Sequence, residues 1–221
     1  MRIVVAGGHG QVARRLARAL VARGDTPVAL VRNPDHVADV QSDGSGVVVL
    51  DLETAAVHDV AGALSGADAV VFAAGAGPGS GAERKDAVDR GGASLLADGA
   101  TLADVRRYVL VSSMGAGSEP APGMDAVFAS YLRTKSASEA DLIGRDLDWT
   151  VLRPGALTDD PGTGHVRLDE DVPRGTVPRD DVAHVIVELL HEPRSAGLVL
   201  ELVSGDVPVD AAVAEVIERE T

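Results

Sequence analysis

Short apolar runs alternate with amphipathic stretches almost to the end of the chain. Residues 2–6 (RIVVA), 27–31 (PVALV), 47–50 (VVVL), 69–74 (AVVFAA), 107–111 (RYVLV) and 149–152 (WTVL) are continuous runs, the pattern of strands buried on both faces. Residues 11–22 (QVARRLARALVA) carry apolar side chains at helical spacing. Further helices are expected around 57–64, over 84–102 and from about 130 to 144. Gly24 stops the first helix, Asn33 and Pro34 open a short helix or turn, and Gly91, Gly92 and Gly99 loosen the long helix. Strands separated by helices imply right-handed crossovers and a parallel sheet covered on both sides. The expected class is therefore α/β with a doubly wound parallel sheet. The tail is less regular, with a turn-rich stretch at 158–177, a helix at 179–190, a strand at 198–203 and a last helix after Pro208. It reads as a small C-terminal cap, from about residue 156, on a single domain spanning 1–221.

Composition narrows the function. A chain of 221 residues with 45% hydrophobic content can bury one substantial core. Only 2% of the residues are aromatic, which leaves no set of platforms for stacking nucleobases. Twenty basic residues against thirty-four acidic ones give a formal net charge of −14, which repels nucleic acid and anionic membrane. Neither is an expected partner. A small anionic molecule binds only where local amides and arginines override that field. There is no cysteine, so disulfides and thiolate metal sites are excluded. His36, His58, His165, His184 and His191 show no metal-ligand spacing, and no metal is expected. No apolar run approaches bilayer length, so the expected location is cytoplasmic. Oligomeric state stays open.

The first strand runs into Gly7-Gly8-His9-Gly10-Gln11-Val12-Ala13. This stretch satisfies GxxGxxA from Gly7 and GxGxxA from Gly8. Either way the chain turns sharply, brings backbone amides to a pyrophosphate, and starts a helix whose positive end faces the anion. Strand before and helix after make the reading specific to a Rossmann-type dinucleotide site. Gly7, His9, Gly10, Gln11 and Val12 are the expected contacts, with His9 lying over the cofactor. About twenty residues on, Arg32 stands where an NAD site usually places an acid for the ribose 2′-hydroxyl. An arginine there suits a 2′-phosphate, so NADP(H) is favoured over NAD(H).

Tyr131 and Lys135 are four apart on an expected helix and so share a face. A lysine charge beside a phenol helps it act as an acid or base towards a carbonyl or alcohol. Here the chain resembles the short-chain dehydrogenase/reductase superfamily, within its atypical NmrA-like and epimerase-like NAD(P)-binding group. The likeness runs through the glycine loop, Val31-Arg32-Asn33-Pro34, Asp51-Leu52, Ala73-Ala74-Gly75 and Val111-Ser112-Ser113. It continues through Tyr131 to Lys135, Arg153-Pro154-Gly155 and Val177-Pro178-Arg179-Asp180-Asp181-Val182-Ala183. The resemblance implies that Asp51 and Leu52 flank the adenine and that Ala73, Ala74 and Gly75 line the ribose. Ser112, Lys135, Pro154 and Gly155 would contact the nicotinamide half. Two positions depart from the superfamily pattern. Asp89 stands where an asparagine is common, and either Ser113 or Met114 occupies the catalytic serine slot.

The leading expectation is an NADP(H)-dependent oxidoreductase acting on a small carbonyl, quinone or flavin-like acceptor. Its catalytic set would be Tyr131, Lys135, Ser113 and Asp89. The alternatives are a non-catalytic NADP(H)-sensing regulator and an NAD-dependent epimerase/dehydratase. About 65 residues follow Gly155, which is cramped for a nucleotide-sugar pocket. A methyltransferase is disfavoured because an acid is expected where Arg32 stands. Ser112 and Ser113 lack a G-x-S-x-G elbow, which argues against a hydrolase.

Overall fold

The computed structural model describes residues 1–75, 90–119 and 123–219. Among them, in chain order, lie β1 (Arg2–Ala6), α1 (Gln11–Arg23), β2 (Thr26–Val31), α2 (Val37–Ser42), β3 (Gly46–Val49) and α3 (Val57–Leu64). Then come β4 (Ala69–Phe72), α4 (Gly92–Leu102), β5 (Arg107–Val111), α5 (Ala126–Ile143), β6 (Asp148–Pro154) and β7 (Ala156–Thr158). The rest is β8 (His165–Asp169), β9 (Thr176–Pro178), α6 (Arg179–His191), β10 (Val199–Ser204), β11 (Val207–Pro208) and α7 (Val209–Arg219). The central sheet runs β11-β8-β10-β6-β5-β4-β1-β2-β3. From β10 to β3 every neighbour is parallel, and β8 and β11 close the other edge antiparallel.

The continuous apolar runs are explained by burial from two sides. In β1, Ile3 and Val5 join one core cluster with Leu16 and Leu20 of α1 and Ile186 and Leu189 of α6. Val4 and Ala6 join the other with Leu64 of α3 and Leu96 of α4. β1 thus faces apolar helices on both sides, and no polar alternation survives in it.

The chain moves outward from β1 to β2 and β3, then returns to place β4 on the other side of β1. That reversal opens a crevice at the carboxyl ends of β1 and β4, the usual ligand position in an open α/β sheet. The tail after Gly155 mostly continues the sheet. β10 lies parallel to β6, with β8 and β11 beyond it, and a separate β7–β9 pair sits outside. No helix among the described residues is long and apolar enough to cross a membrane.

Two boundaries differ from those read off the sequence. α5 begins at Ala126 because Asp125 caps it, its side chain accepting from the Phe128 amide at 2.9 Å. The stretch expected to be turn-rich contains β8, whose Val166 and Leu168 are buried while His165 and Arg167 are exposed. That two-residue alternation marks a strand covered on one face.

Candidate functional site

The crevice is a cleft of about 430 Å³, and the glycine loop forms its floor. Gly7 adopts φ +76°, and a Cβ there would lie 2.5 Å from the Ala74 Cα at the end of β4. A Cβ on Gly8 would lie 2.4 Å from the Ala29 Cβ of β2. Only bare backbone fits between the two strands, so the cradle is shaped by the absence of side chains. Gly10 caps α1 without any side-chain hydrogen bond, and the first turn holds no acid. The helix therefore presents amides and its positive end to the cleft, a donor set that fits a diphosphate.

The cleft gathers most of the expected nucleotide contacts. Gly7, His9 and Gly10 line it with Arg32, Asp51 and Leu52, and Ala73, Ala74 and Gly75 close the opposite wall. Gln11 and Val12 lie outside this lining. Gln11 is exposed on α1, and Val12 packs against the core. The structure adds Asn33, His36 and Glu53 to the rim, none of them singled out as contacts from sequence. Asp51 fixes the rim by accepting from the Glu53 amide at 3.0 Å. Arg32, half exposed, donates to the Glu53 carboxylate. The His9 ring stacks on His36 with centroids 3.6 Å apart, and its Nε2 lies 2.8 Å from Asp39 Oδ2.

The expected reaction end is built from side chains instead. Lys135 is buried on α5, and its Nζ donates to the Val111 carbonyl of β5 at 3.2 Å. It lies 5.9 Å from the Tyr131 ring centroid, and Tyr131 in turn stacks on Phe128. The pair thus shares one face of α5, held against the end of β5. The other tyrosine, Tyr108, is wholly buried and donates to the Ala93 carbonyl at 3.2 Å. Burial pushes its phenol well above the ordinary value, so it is a core residue.

Ser112 is buried, and its hydroxyl donates to Glu139 Oε1 at 2.5 Å. Met114 is also buried, in a cluster with Val172 and Val203, and its amide donates to the Pro154 carbonyl. Ser113, partly exposed, keeps a hydroxyl at the loop surface. Gly155 lies under the Gly175 carbonyl, 2.4 Å from where a Cβ would sit. Asp89 lies outside the described residues.

Sequence reading missed Glu139 and its pairing with Arg153. Glu139 is 2% exposed and receives Arg153 through Nε at 3.0 Å and Nη2 at 2.6 Å. Burial works to lower the Arg153 pKa, but the hydrogen bonds and charge of Glu139 hold it above its ordinary value. Ser112, Glu139 and Arg153 thereby tie the end of β5, α5 and β6 together. A signal was present: Glu139 lies one helical turn beyond Lys135.

A glycine cradle at the reversal of a parallel sheet, with Arg32 on its rim, defines a dinucleotide-binding α/β protein. The sequence pattern of the NAD(P)H-binding family matches residues 7–193, and the chain belongs to that family. It is 30% identical over 214 residues to the uncharacterised sugar epimerase YhfK of Bacillus subtilis, covering 96% of this chain and 99% of the relative. A solved putative NAD-dependent epimerase/dehydratase from Bacillus halodurans superposes with a TM-score of 0.90 at 33% identity, covering 97% and 99%. ChuY, an anaerobilin reductase from Escherichia coli O157:H7, superposes with a TM-score of 0.80 at 26% identity, covering 94% and 98%.

Proposed function

We propose that the chain is an NADP(H)-dependent oxidoreductase that reduces a small carbonyl, quinone or flavin-like acceptor. The observation that carries this reading is the placement of Tyr131 and buried Lys135 on one face of α5 beside the end of β5. When bound, the nicotinamide supplies the hydride. Tyr131 supplies or takes the proton at the substrate oxygen, and Lys135 holds positive charge on the same helix face. Ser113 polarises the same oxygen. The glycine cradle and the amides of α1 hold the diphosphate, and Arg32 receives the 2′-phosphate, exchanging its bond to Glu53 for a stronger anion.

The test is a titration with NADPH and NADH, followed by a screen of quinones and small carbonyls. NADPH binds more tightly, and Arg32→Ala narrows the gap by about tenfold. Tyr131→Phe lowers turnover by about 100-fold and leaves NADPH affinity unchanged. Equal affinities unaffected by the arginine substitution overturn the cofactor preference, and full turnover in the phenylalanine variant removes Tyr131 from the chemistry. A nucleotide-sugar epimerase is the second reading, supported by the names of YhfK and the Bacillus halodurans protein. Interconversion of nucleotide sugars without net consumption of NADPH distinguishes it.

A further inference from the structure

The rim of the cleft carries a feature that an arginine-based 2′-phosphate site does not require. His9, from the glycine loop, and His36, from the turn after β2, stack nearly parallel, 3.6 Å apart and 13° from coplanar. Both line the cleft together with Arg32. The Nε2 of His9 is engaged by Asp39 of α2 at 2.8 Å. Among the described residues, no hydrogen bond is made by the His36 ring, and His36 is not fully buried.

The fixed charges around the stack fall short of what a phosphate dianion needs. Arg32 is paired with Glu53, beside Asp51. Arg14 of α1 reaches Asp39 at 3.9 Å and Asp43 at 2.5 Å, and Arg18 also pairs with Asp43. Asp35 lies next to His36 in sequence and is exposed. Carboxylates thus outnumber arginines here, and every arginine is already shared. The imidazoles are the groups able to add positive charge near neutral pH. Two stacked rings resist holding two charges at once unless an anion lies against them.

We infer that the His9–His36 stack is the titratable half of a 2′-phosphate subsite, drawing a proton from solvent when the 2′-phosphate of NADP(H) enters. The inference rests on the NADP(H) reading above and deepens it. The proton passes from buffer to the His36 imidazole, since the His9 ring is already engaged by Asp39, and the added charge is balanced by the phosphate. Binding of the 2′-phosphorylated nucleotide is then coupled to proton uptake, so it weakens as pH rises. The ligand alone has the opposite tendency. The second ionisation of a phosphate monoester lies near pH 6, so capture by fixed cations releases protons.

Calorimetric titration of the intact chain with NADP⁺ and NAD⁺, in buffers of different ionisation enthalpy, reads this sign directly. NADP⁺ is expected to take up as much as about one proton near pH 7, and NAD⁺ none. The preference for NADP⁺ over NAD⁺ is expected to be about tenfold greater near pH 6.5 than near pH 8.5. His36→Phe keeps the stack and removes the titration, so uptake turns to zero or to release and the preference loses its fall at high pH. His36→Gln serves as a second variant, and an unchanged circular dichroism spectrum and Tm in both show an intact fold. Proton release in the wild-type chain, or uptake that survives both substitutions, overturns the inference while leaving Arg32 as the selector. Equal affinity for NADP⁺ and NAD⁺ at every pH instead overturns the cofactor preference on which it rests.

Discussion

The two ends of the candidate site are built in opposite ways. The nucleotide end is shaped by what is missing: Gly7 and Gly8 leave room because Ala74 and Ala29 stand where their Cβ atoms would fall. The reaction end is shaped by what is buried: Glu139 of α5 pairs with Arg153 of the interior strand β6, with Ser112 bonded to the carboxylate. Backbone geometry tolerates almost any surrounding side chains provided they are small enough. A buried ion pair tolerates almost none, because each charge depends on the other being present.

The sharpest way to test that contrast is Glu139→Leu. It leaves the Arg153 guanidinium buried without its anion and is expected to cost about 3–5 kcal/mol, read as a fall in Tm of roughly 10 °C. Adding Arg153→Met to the same chain is expected to recover most of that loss, since removing both charges removes the unpaired one. If the double variant is no more stable than the single, the pair is not the structural unit described.

Gly8→Ala comes next. Its methyl group overlaps Ala29, so stability falls by about 1–3 kcal/mol and NADPH affinity falls by tenfold or more, roughly. Wild-type affinity in this variant would mean that the loop yields and that close approach is not what forms the cradle.

The smallest effect concerns acid. Asp43 lies close to Arg14 and Arg18, and although burial works to raise its pKa, their hydrogen bonds and charges hold it below the ordinary carboxylate value. The folded chain then keeps this group ionised where the unfolded chain already binds a proton. Its contribution is complete above about pH 4 and drains away as pH falls further. Asp43→Asn is expected to flatten the low-pH limb of a Tm-against-pH curve by on the order of 1 kcal/mol and to leave the reaction end untouched. An unchanged limb would remove Asp43 from the groups that link α1 to α2.

The same contrast explains what could be read without coordinates. Strand-loop-helix at residues 2–22 was legible because glycines at fixed spacing and an unbroken apolar run are local signals. Tyr131 and Lys135 were legible because helical spacing puts them on one face. Glu139 with Arg153 was not, because residues on different elements meet only through the sheet order. The His9–His36 stack was hidden for the same reason, since 27 positions of chain separate rings that touch. β8 was overlooked because Gly and Pro around it suggested turns, although the inward Val166 and Leu168 carried its signature.

Arg107 leads to one further consequence. Buried on β5, with burial pushing its pKa down to about 10, it donates to the Asp148 carbonyl, Thr150, the Leu189 carbonyl and Ser195. The phosphate loop and α1 leave a ribosome well before α6, against which α1 packs and which is synthesised more than 150 residues later. Arg107 likewise waits for the carbonyl that ends α6. The cradle is thus made long before the helix that secures it, and a nascent fragment stopping at Gly155 would lack both of these partners.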